Sequence, residues 1–243
     1  MSESIDEARV DLAAALRLAV RFGLHEGICN HFSYALPGAD DRFLLSPYGM
    51  HWSQVSARDL LVVDGAGRLV TGEGEIETSA FCIHSQVHRQ HPNARCVLHT
   101  HMPYATALTA IEGGRLEPVH QNSLRFHGDV AYDEDYNGLA NDTQEGGRIA
   151  AALGSRRVLF LANHGVIVVG PTIAKAFNDL YFLERACQVQ VLAMSTNRPL
   201  KRIGDNMAAS TFDVSRKRDD PYAHTHFAAL KRLLDAEDTS YAA

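Results

Sequence analysis

Two apolar runs in this chain each give way to histidine. One is Val97-Leu98-His99-Thr100-His101; the other runs from Val158 to Leu161 and ends in Asn163-His164-Gly165. Short apolar runs bounded in this way read as buried strands. A strand alternates its side chains between faces, so His99 and His101, two residues apart, present both imidazoles on the same face. Brought together, the three neutral imidazoles of His99, His101 and His164 can hold a divalent metal with one coordination position left open. That arrangement belongs to catalytic rather than structural sites.

The segments around these runs alternate in type. Ser4-Ile5-Asp6-Glu7 reads as a capping box opening a helix that continues through Val10, Leu12, Leu16, Ala19 and Val20 to Gly23. Phe43 to Leu45 and Leu60 to Val63 read as strands, the second followed by the turn Asp64-Gly65-Ala66-Gly67. A helix begins near Thr78 or Ser79 and must end before Pro92, because a residue preceding proline avoids the α region. Cys96 to His99 is a buried strand, and Met102-Pro103 opens a short helix from Tyr104 to Ala110. Residues 112–136 are loop-rich and polar, long for a connection, and so a candidate binding loop. Asp142 to Glu145 caps a helix ending at Gly154, and Val166 to Val169 forms a strand after the His164-Gly165 bend. Pro171-Thr172 starts a long helix with Ala176, Leu180, Leu183 and Cys187 on one face, which reads as core. Residues 196–219 read as a weakly ordered polar connector, and Phe227 to Leu234 as a short amphipathic helix. No internal repeat is evident, and the alternation favours a layered α/β domain.

Composition narrows the function classes. With 243 residues, 46% of them hydrophobic, the chain can bury a full core as one domain. The formal charge of −6 and the absence of a long Lys/Arg run argue against a general nucleic-acid binder. Met1 to Arg9 carries acids and no apolar stretch, so no signal peptide is expected, and no window approaches the ~18 apolar residues of a membrane span. Cys29, Cys82, Cys96 and Cys187 are scattered without a C-x-x-C pair and read as buried thiols in a reducing cytoplasm.

Several motifs together resemble the class II aldolase/adducin family. They are Cys29-Asn30-His31-Phe32-Ser33, Ser46-Pro47-Tyr48-Gly49-Met50, the span His84 to Thr109 with His99-Thr100-His101, Asn163-His164-Gly165, and Tyr181 to Cys187. The tail from Phe227 to Tyr241 is similar to the end of adducin-type members, so the resemblance spans residues 8–241. It implies a three-layer α/β/α sandwich occupying residues 1–200, with the connector and short helix of residues 201–243 packing on the same domain. It also implies a homotetramer with active sites between subunits, and one divalent metal per subunit, zinc first, with manganese or iron as alternatives. His99, His101 and His164 match the family's metal-binding histidines. Asn30, Tyr48, Gly49, Thr78 and Ser79 fall on the positions that hold the substrate phosphate in the sugar-phosphate aldolases. Tyr48 stands where a small hydroxyl residue is usual, which puts a phosphate there in doubt.

One departure bears on mechanism. Counting back from His99 without gaps, the family's acid/base carboxylate falls on Ala80, which cannot move a proton. Glu77 lies one helical turn away. Aldol chemistry needs a base to remove a proton, whereas loss of CO2 from an activated acid delivers the enolate directly. The expected activity is therefore a metal-dependent carbon–carbon lyase, decarboxylase or retro-aldolase, acting on a small polar carbonyl compound. Candidate proton donors are His31, His120, His127, Tyr132 and Tyr136, and Arg125 is a candidate clamp for a substrate carboxylate. Two other readings stay open: a non-catalytic interaction module like the adducin head, and a mononuclear iron oxygenase on the same scaffold. His84 and His88 share a helix face at i, i+4 and read as a packing face, while His224-Thr225-His226 reads as solvent-exposed.

Overall fold

The computed structural model describes residues 4–38 and 41–243; Met1 to Glu3, part of the acidic N-terminal stretch, lie outside the described residues, as do Ala39 and Asp40. Among the described residues eight strands are formed: β1 (His31–Ala35), β2 (Arg42–Leu45), β3 (Leu61–Asp64), β4 (Leu69–Thr71), β5 (Cys96–Thr100), β6 (Val130–Asp133), β7 (Val158–Leu161) and β8 (Gly165–Gly170). They make one sheet in the order β4-β3-β2-β1-β5-β8-β7-β6. Every described neighbour pair is antiparallel except β6 with β7. The helices are α1 (Ile5–Arg21), α2 (Thr78–Gln90), α3 (Pro103–Thr109), α4 (Thr143–Leu153), α5 (Ile173–Met194), α6 (Asp205–Arg216) and α7 (Asp219–Asp235).

Period-two alternation sorts the strand side chains into two layers. Phe32, Tyr34, Leu98, Phe160, Val166 and Val168 face α1, α3, α5 and α7 through Leu16, Leu108, Leu180, Leu183 and Phe227. Val97, Leu159, Ile167 and Val169 face α2 and α4 through Ile83, Val87, Ile149 and Leu153. Each such side chain adds about 1.5–3 kcal/mol on burial, so both faces of the sheet are covered and the architecture is an α/β/α sandwich. Within that apolar filling, His31, Ser33 and His99 lie on the α2 side of β1 and β5 and are buried. Polar groups there must be hydrogen-bonded to be tolerated.

The helix starts follow their caps. Ser4 Oγ accepts from Glu7 N–H at 3.1 Å, and the Glu7 carboxylate accepts from Ser4 N–H at 2.9 Å. Asp142 accepts from Glu145 N–H at 2.8 Å, and Thr172 from Lys175 N–H at 3.1 Å. Glu77 caps α2, its carboxylate accepting from Ala80 N–H.

Three expectations need correction. Residues 196–219 do not form a weakly ordered connector throughout: Asp205–Arg216 is helical, and the last long helix begins at Asp219 rather than near Phe227. The cause is long-range, since Asp219 joins a buried cluster with Lys175 at 2.9 Å, Arg157 at 3.2 Å and Arg125 at 3.4 Å. The 112–136 segment is not all loop. Leu124 and Phe126 are buried in a 3-10 turn, and Val130–Asp133 pairs in parallel with β7. Cys29 is exposed, unlike the other three cysteines. No helix among the described residues is long and apolar enough to cross a membrane.

Candidate metal centre

The antiparallel pairing of β1 with β5 sets His31 directly opposite His99, and the pairing of β5 with β8 sets His99 opposite Ile167. His164 sits in the short link between β7 and β8, where Asn163 takes a left-handed conformation, φ 54°. Asparagine tolerates that region better than most residues, and the turn is pinned by Asn163 N–H donating to Thr109 O at 3.1 Å. The result brings His99, His101 and His164 together with one ring nitrogen from each within 4.8 Å of the others.

Hydrogen bonds decide which nitrogens are free. His99 Nδ1 faces the Val166 carbonyl at 3.1 Å, and His101 Nδ1 faces the Glu26 carboxylate at 2.6 Å. Both partners only accept, so both Nδ1 atoms carry the proton and both Nε2 atoms are bare. Those two Nε2 atoms lie 3.1 Å apart. Two lone pairs facing at that distance repel unless a cation lies between them. On tetrahedral zinc, two imidazole nitrogens stand about 3.3 Å apart. The residues therefore fit a divalent metal, and Glu26 and Val166 are the outer partners that fix ligand orientation. Burial pushes His164 down to about 4 and holds His99 well below its ordinary value, so these imidazoles stay neutral as ligation requires.

Gly165 makes the close approach possible. A Cβ there would lie 2.6 Å from Thr100 O and 2.8 Å from His101 Cδ2. Gly165→Ala is expected to cost about 1–3 kcal/mol by overpacking and to weaken zinc binding about 10–100-fold by displacing His101. Calorimetric zinc titration beside thermal unfolding measures both, and an unchanged zinc affinity would contradict the placement of His101.

Other residues expected from the sequence fall on β1, on the turn at Tyr48 and Gly49, and at the start of α2. His31 is buried, its ring centroid 4.7 Å from that of His99. Ser79 Oγ is 3.5 Å from His31 Nε2 and donates to the Glu77 carboxylate at 2.7 Å. Asn30 is buried; its Oδ1 accepts from Glu26 N–H at 2.6 Å while its Nδ2 has no partner. Tyr48 is exposed, its N–H held by Glu75 O at 2.9 Å, and Gly49 takes φ 81° in the same turn. Thr78 is exposed at the first turn of α2. Ala80, where the family's carboxylate would fall, packs among Phe43, Leu45, Leu61 and Val63.

Other candidates are not gathered here within one chain. Tyr132 stacks on Phe160, accepts Leu116 N–H at 3.1 Å, and lines a cavity of about 390 Å³ with Arg115, Glu134 and Asn163. Tyr136 is exposed. Arg125 is held by Asp219 and by the rings of Phe182 and Tyr222. His226 is not wholly solvent-exposed as its motif suggested: its Nδ1 lies 3.1 Å from Asn178 Oδ1 and its ring packs on Tyr181.

Sequence reasoning missed Glu26, Ser33 and the functional side of His84 and His88. His84 contacts both Ser33 Oγ and His31 Nδ1, and His88 Nε2 lies 2.7 Å from Ser33 Oγ. The i, i+4 spacing of the histidines facing the period-two pair His31/Ser33 was the available signal; Glu26 had none. Burial pushes His88 from 6.5 down to about 4, so it is neutral when folded and protonates near 6.5 when unfolded. Between those values the unfolded chain binds more protons, so stability is complete above pH 6.5 and is lost as pH falls toward 4. The slope from this group reaches about 1.4 kcal/mol per pH unit. Urea unfolding midpoints at several pH values should fall more steeply for the wild type than for His88→Gln; equal slopes would rule the assignment out.

This fold is that of a known class of protein. The Class II Aldolase and Adducin N-terminal domain matches residues 10–191, and the chain belongs to that family. An aldolase II superfamily protein from Pseudomonas syringae superposes with TM-score 0.93 at 34% identity, covering 100% of this chain and 98% of that one. The L-fuculose 1-phosphate aldolase from Glaciozyma antarctica PI12 superposes with TM-score 0.86 at 27% identity, covering 98% and 95%. An adducin-related protein of Schizosaccharomyces pombe is 32% identical over 255 residues, 96% of this chain and 75% of that protein.

Proposed function

We propose that the chain is a metal-dependent carbon–carbon lyase, a decarboxylase or retro-aldolase, acting on a small polar carbonyl substrate. The observation that carries this reading is the pair of bare Nε2 atoms of His99 and His101, each with its Nδ1 committed to an outer partner. His99, His101 and His164 would hold one divalent ion per subunit, zinc first and manganese or iron as alternatives. When bound, such an ion supplies Lewis-acid polarisation of a carbonyl and stabilises enolate charge.

The chain's own residues supply the rest. Asn30 Nδ2, buried without a partner, is a donor for a substrate oxygen. Glu77, held by Ser79 and the first turn of α2, is the carboxylate beside His31. Tyr48, Gly49, Thr78 and Ser79 would supply further substrate contacts. With Ala80 walled into apolar packing, no carboxylate occupies the family's acid/base position, and this favours decarboxylation, which needs no base to start. Tyr136, exposed on this chain, would be free to complete the site of a neighbouring subunit in a homotetramer. The scatter of Cys29, Cys82, Cys96 and Cys187 without a C-x-x-C pair supports a cytoplasmic setting.

The test is CO2 release from β-keto acids by metal-loaded protein, run beside cleavage of sugar phosphates to aldehydes. CO2 release supports the decarboxylase and aldehyde release the aldolase. The similarity to an adducin-related protein favours a second reading, a non-catalytic binding module. Protein that stays metal-free after dialysis against zinc, manganese and iron would establish that alternative.

A further inference from the structure

A chain of buried polar groups runs from the backbone at Ala94 to the edge of the metal centre, and its donors and acceptors can be assigned in one direction only. The Ala94 carbonyl accepts and cannot donate, so His88 Nδ1, 2.6 Å away, carries a proton. A neutral imidazole has one N–H, which leaves His88 Nε2 an acceptor for the Ser33 hydroxyl at 2.7 Å. That bond uses the hydroxyl's only proton, so Ser33 Oγ must accept from His84 Nδ1. His84 Nε2 is then bare and accepts from His31 Nδ1 at 2.7 Å. The last member, His31, is left with a lone pair on Nε2. Burial keeps the inner imidazoles neutral: His88 is pushed down to about 4, and His84 lies well below its ordinary value.

The outer end of this chain is unsatisfied. The neighbour of His31 Nε2, the Ser79 hydroxyl, is 3.5 Å away and gives its proton to Glu77 at 2.7 Å. We propose that Ala94, His88, Ser33 and His84 form a one-way hydrogen-bond relay that locks His31 in its Nδ1–H tautomer, so that Nε2 accepts a hydrogen bond from a hydroxyl-bearing substrate. His31 is then a specificity-determining contact, and His84, Ser33 and His88 are positioning residues that act through it. Its location beside His99 gives the relay a use: it holds an uncharged acceptor next to the metal centre. The choice of a hydroxyl-bearing substrate rests on the lyase reading; the tautomer does not.

The experiment is a long-range nitrogen–proton correlation spectrum of the full chain with nitrogen-15-labelled histidine at pH 7.5, first stripped of metal and then loaded with zinc. The His31 signals are identified by their loss in His31→Gln. In the wild type, His31 is expected with a protonated Nδ1 and a bare Nε2, opposite to the form that free histidine prefers in water. In Ser33→Ala, His84 loses its acceptor and turns its proton toward His31, so the His31 tautomer should invert. His88→Leu should do the same if Ser33→Ala does not fold. A protonated Nε2 in the wild type, or a tautomer indifferent to both substitutions, would overturn the relay. Glycolate added to the zinc-loaded chain should move the His31 Nε2 resonance upfield, while acetate, which has no hydroxyl, should not. Equal responses, or none, would overturn the acceptor role. A locked tautomer in a protein without CO2-releasing or aldehyde-releasing activity would leave the relay standing and defeat the lyase reading, so the two fail separately.

Discussion

The His99→Ala/His101→Ala variant is expected to purify without divalent metal, where the unaltered, untagged chain should carry close to one ion per subunit. The substitution removes two of the three clustered imidazoles and leaves His164, which alone cannot compete with water for an ion. It also leaves the Glu26 carboxylate and the Val166 carbonyl without the Nδ1 donors they now receive. His99 is buried, so some stability will be lost with its ring, and metal content must be read beside a fold measurement. Thermal unfolding provides it. Zinc at 100 times its dissociation constant should stabilise the wild type by about 2.7 kcal/mol and leave the variant unmoved. Equal metal content in the two proteins would show that the ion sits elsewhere. Elemental analysis of the wild type also separates a zinc or manganese lyase from an iron protein.

Asp179→Asn is expected to be the most damaging single change away from the metal centre. Asp179 is 1% exposed and accepts from Arg157 Nη1 at 2.7 Å and from the Lys175 ammonium. Its carboxylate therefore serves two buried cations from β7's approach and α5, while Asp129 and Asp219 complete the cluster at 2.5 Å and 3.2 Å from Arg157. An amide removes the charge and turns N–H groups toward those cations. Breaking a buried pair in this way costs about 3–5 kcal/mol. For a chain of this size that corresponds to roughly 10 °C in Tm. The exposed pair Arg68–Asp64 sets the contrast, since Arg68→Ala should cost less than about 1 kcal/mol. Differential scanning calorimetry on both variants decides it, and a fall in Tm of only a degree or two for Asp179→Asn would mean the cluster is better solvated than its burial indicates.

The parts legible in the sequence are those governed by local rules. Period two placed His99, near the end of β5, and His101, just past it, on one side, capping residues placed the starts of α1, α4 and α5, and Pro92 bounded α2. The parts that were not legible depend on partners distant in sequence. Nothing local marks Glu26 as the acceptor for His101, because the contact spans 75 residues. Asp205–Arg216 reads as polar linker because its order comes from packing against the turn at Ser123–Phe126, and α7 starts early because Asp219 is drawn into the charge cluster. Arg125 read as a substrate clamp for the same reason: a loop arginine shows its charge in sequence but not the aspartate that takes it. His84 and His88 illustrate the limit most directly, since a packing face and a relay are written with the same spacing.

The pairing of His31 with His99 across β1 and β5 has a consequence for folding. A slip of one residue between these strands would turn one of the two imidazoles into the layer filled by Leu16, Leu98 and Phe177, and the alternation His31-Phe32-Ser33-Tyr34 works against it. An ion held by His99, His101 and His164 would add to that selection, because it would bind only a chain whose β5 and β8 have also met in step. Metal uptake would then report on assembly as well as on chemistry, since it would mark the molecules whose sheet is in register.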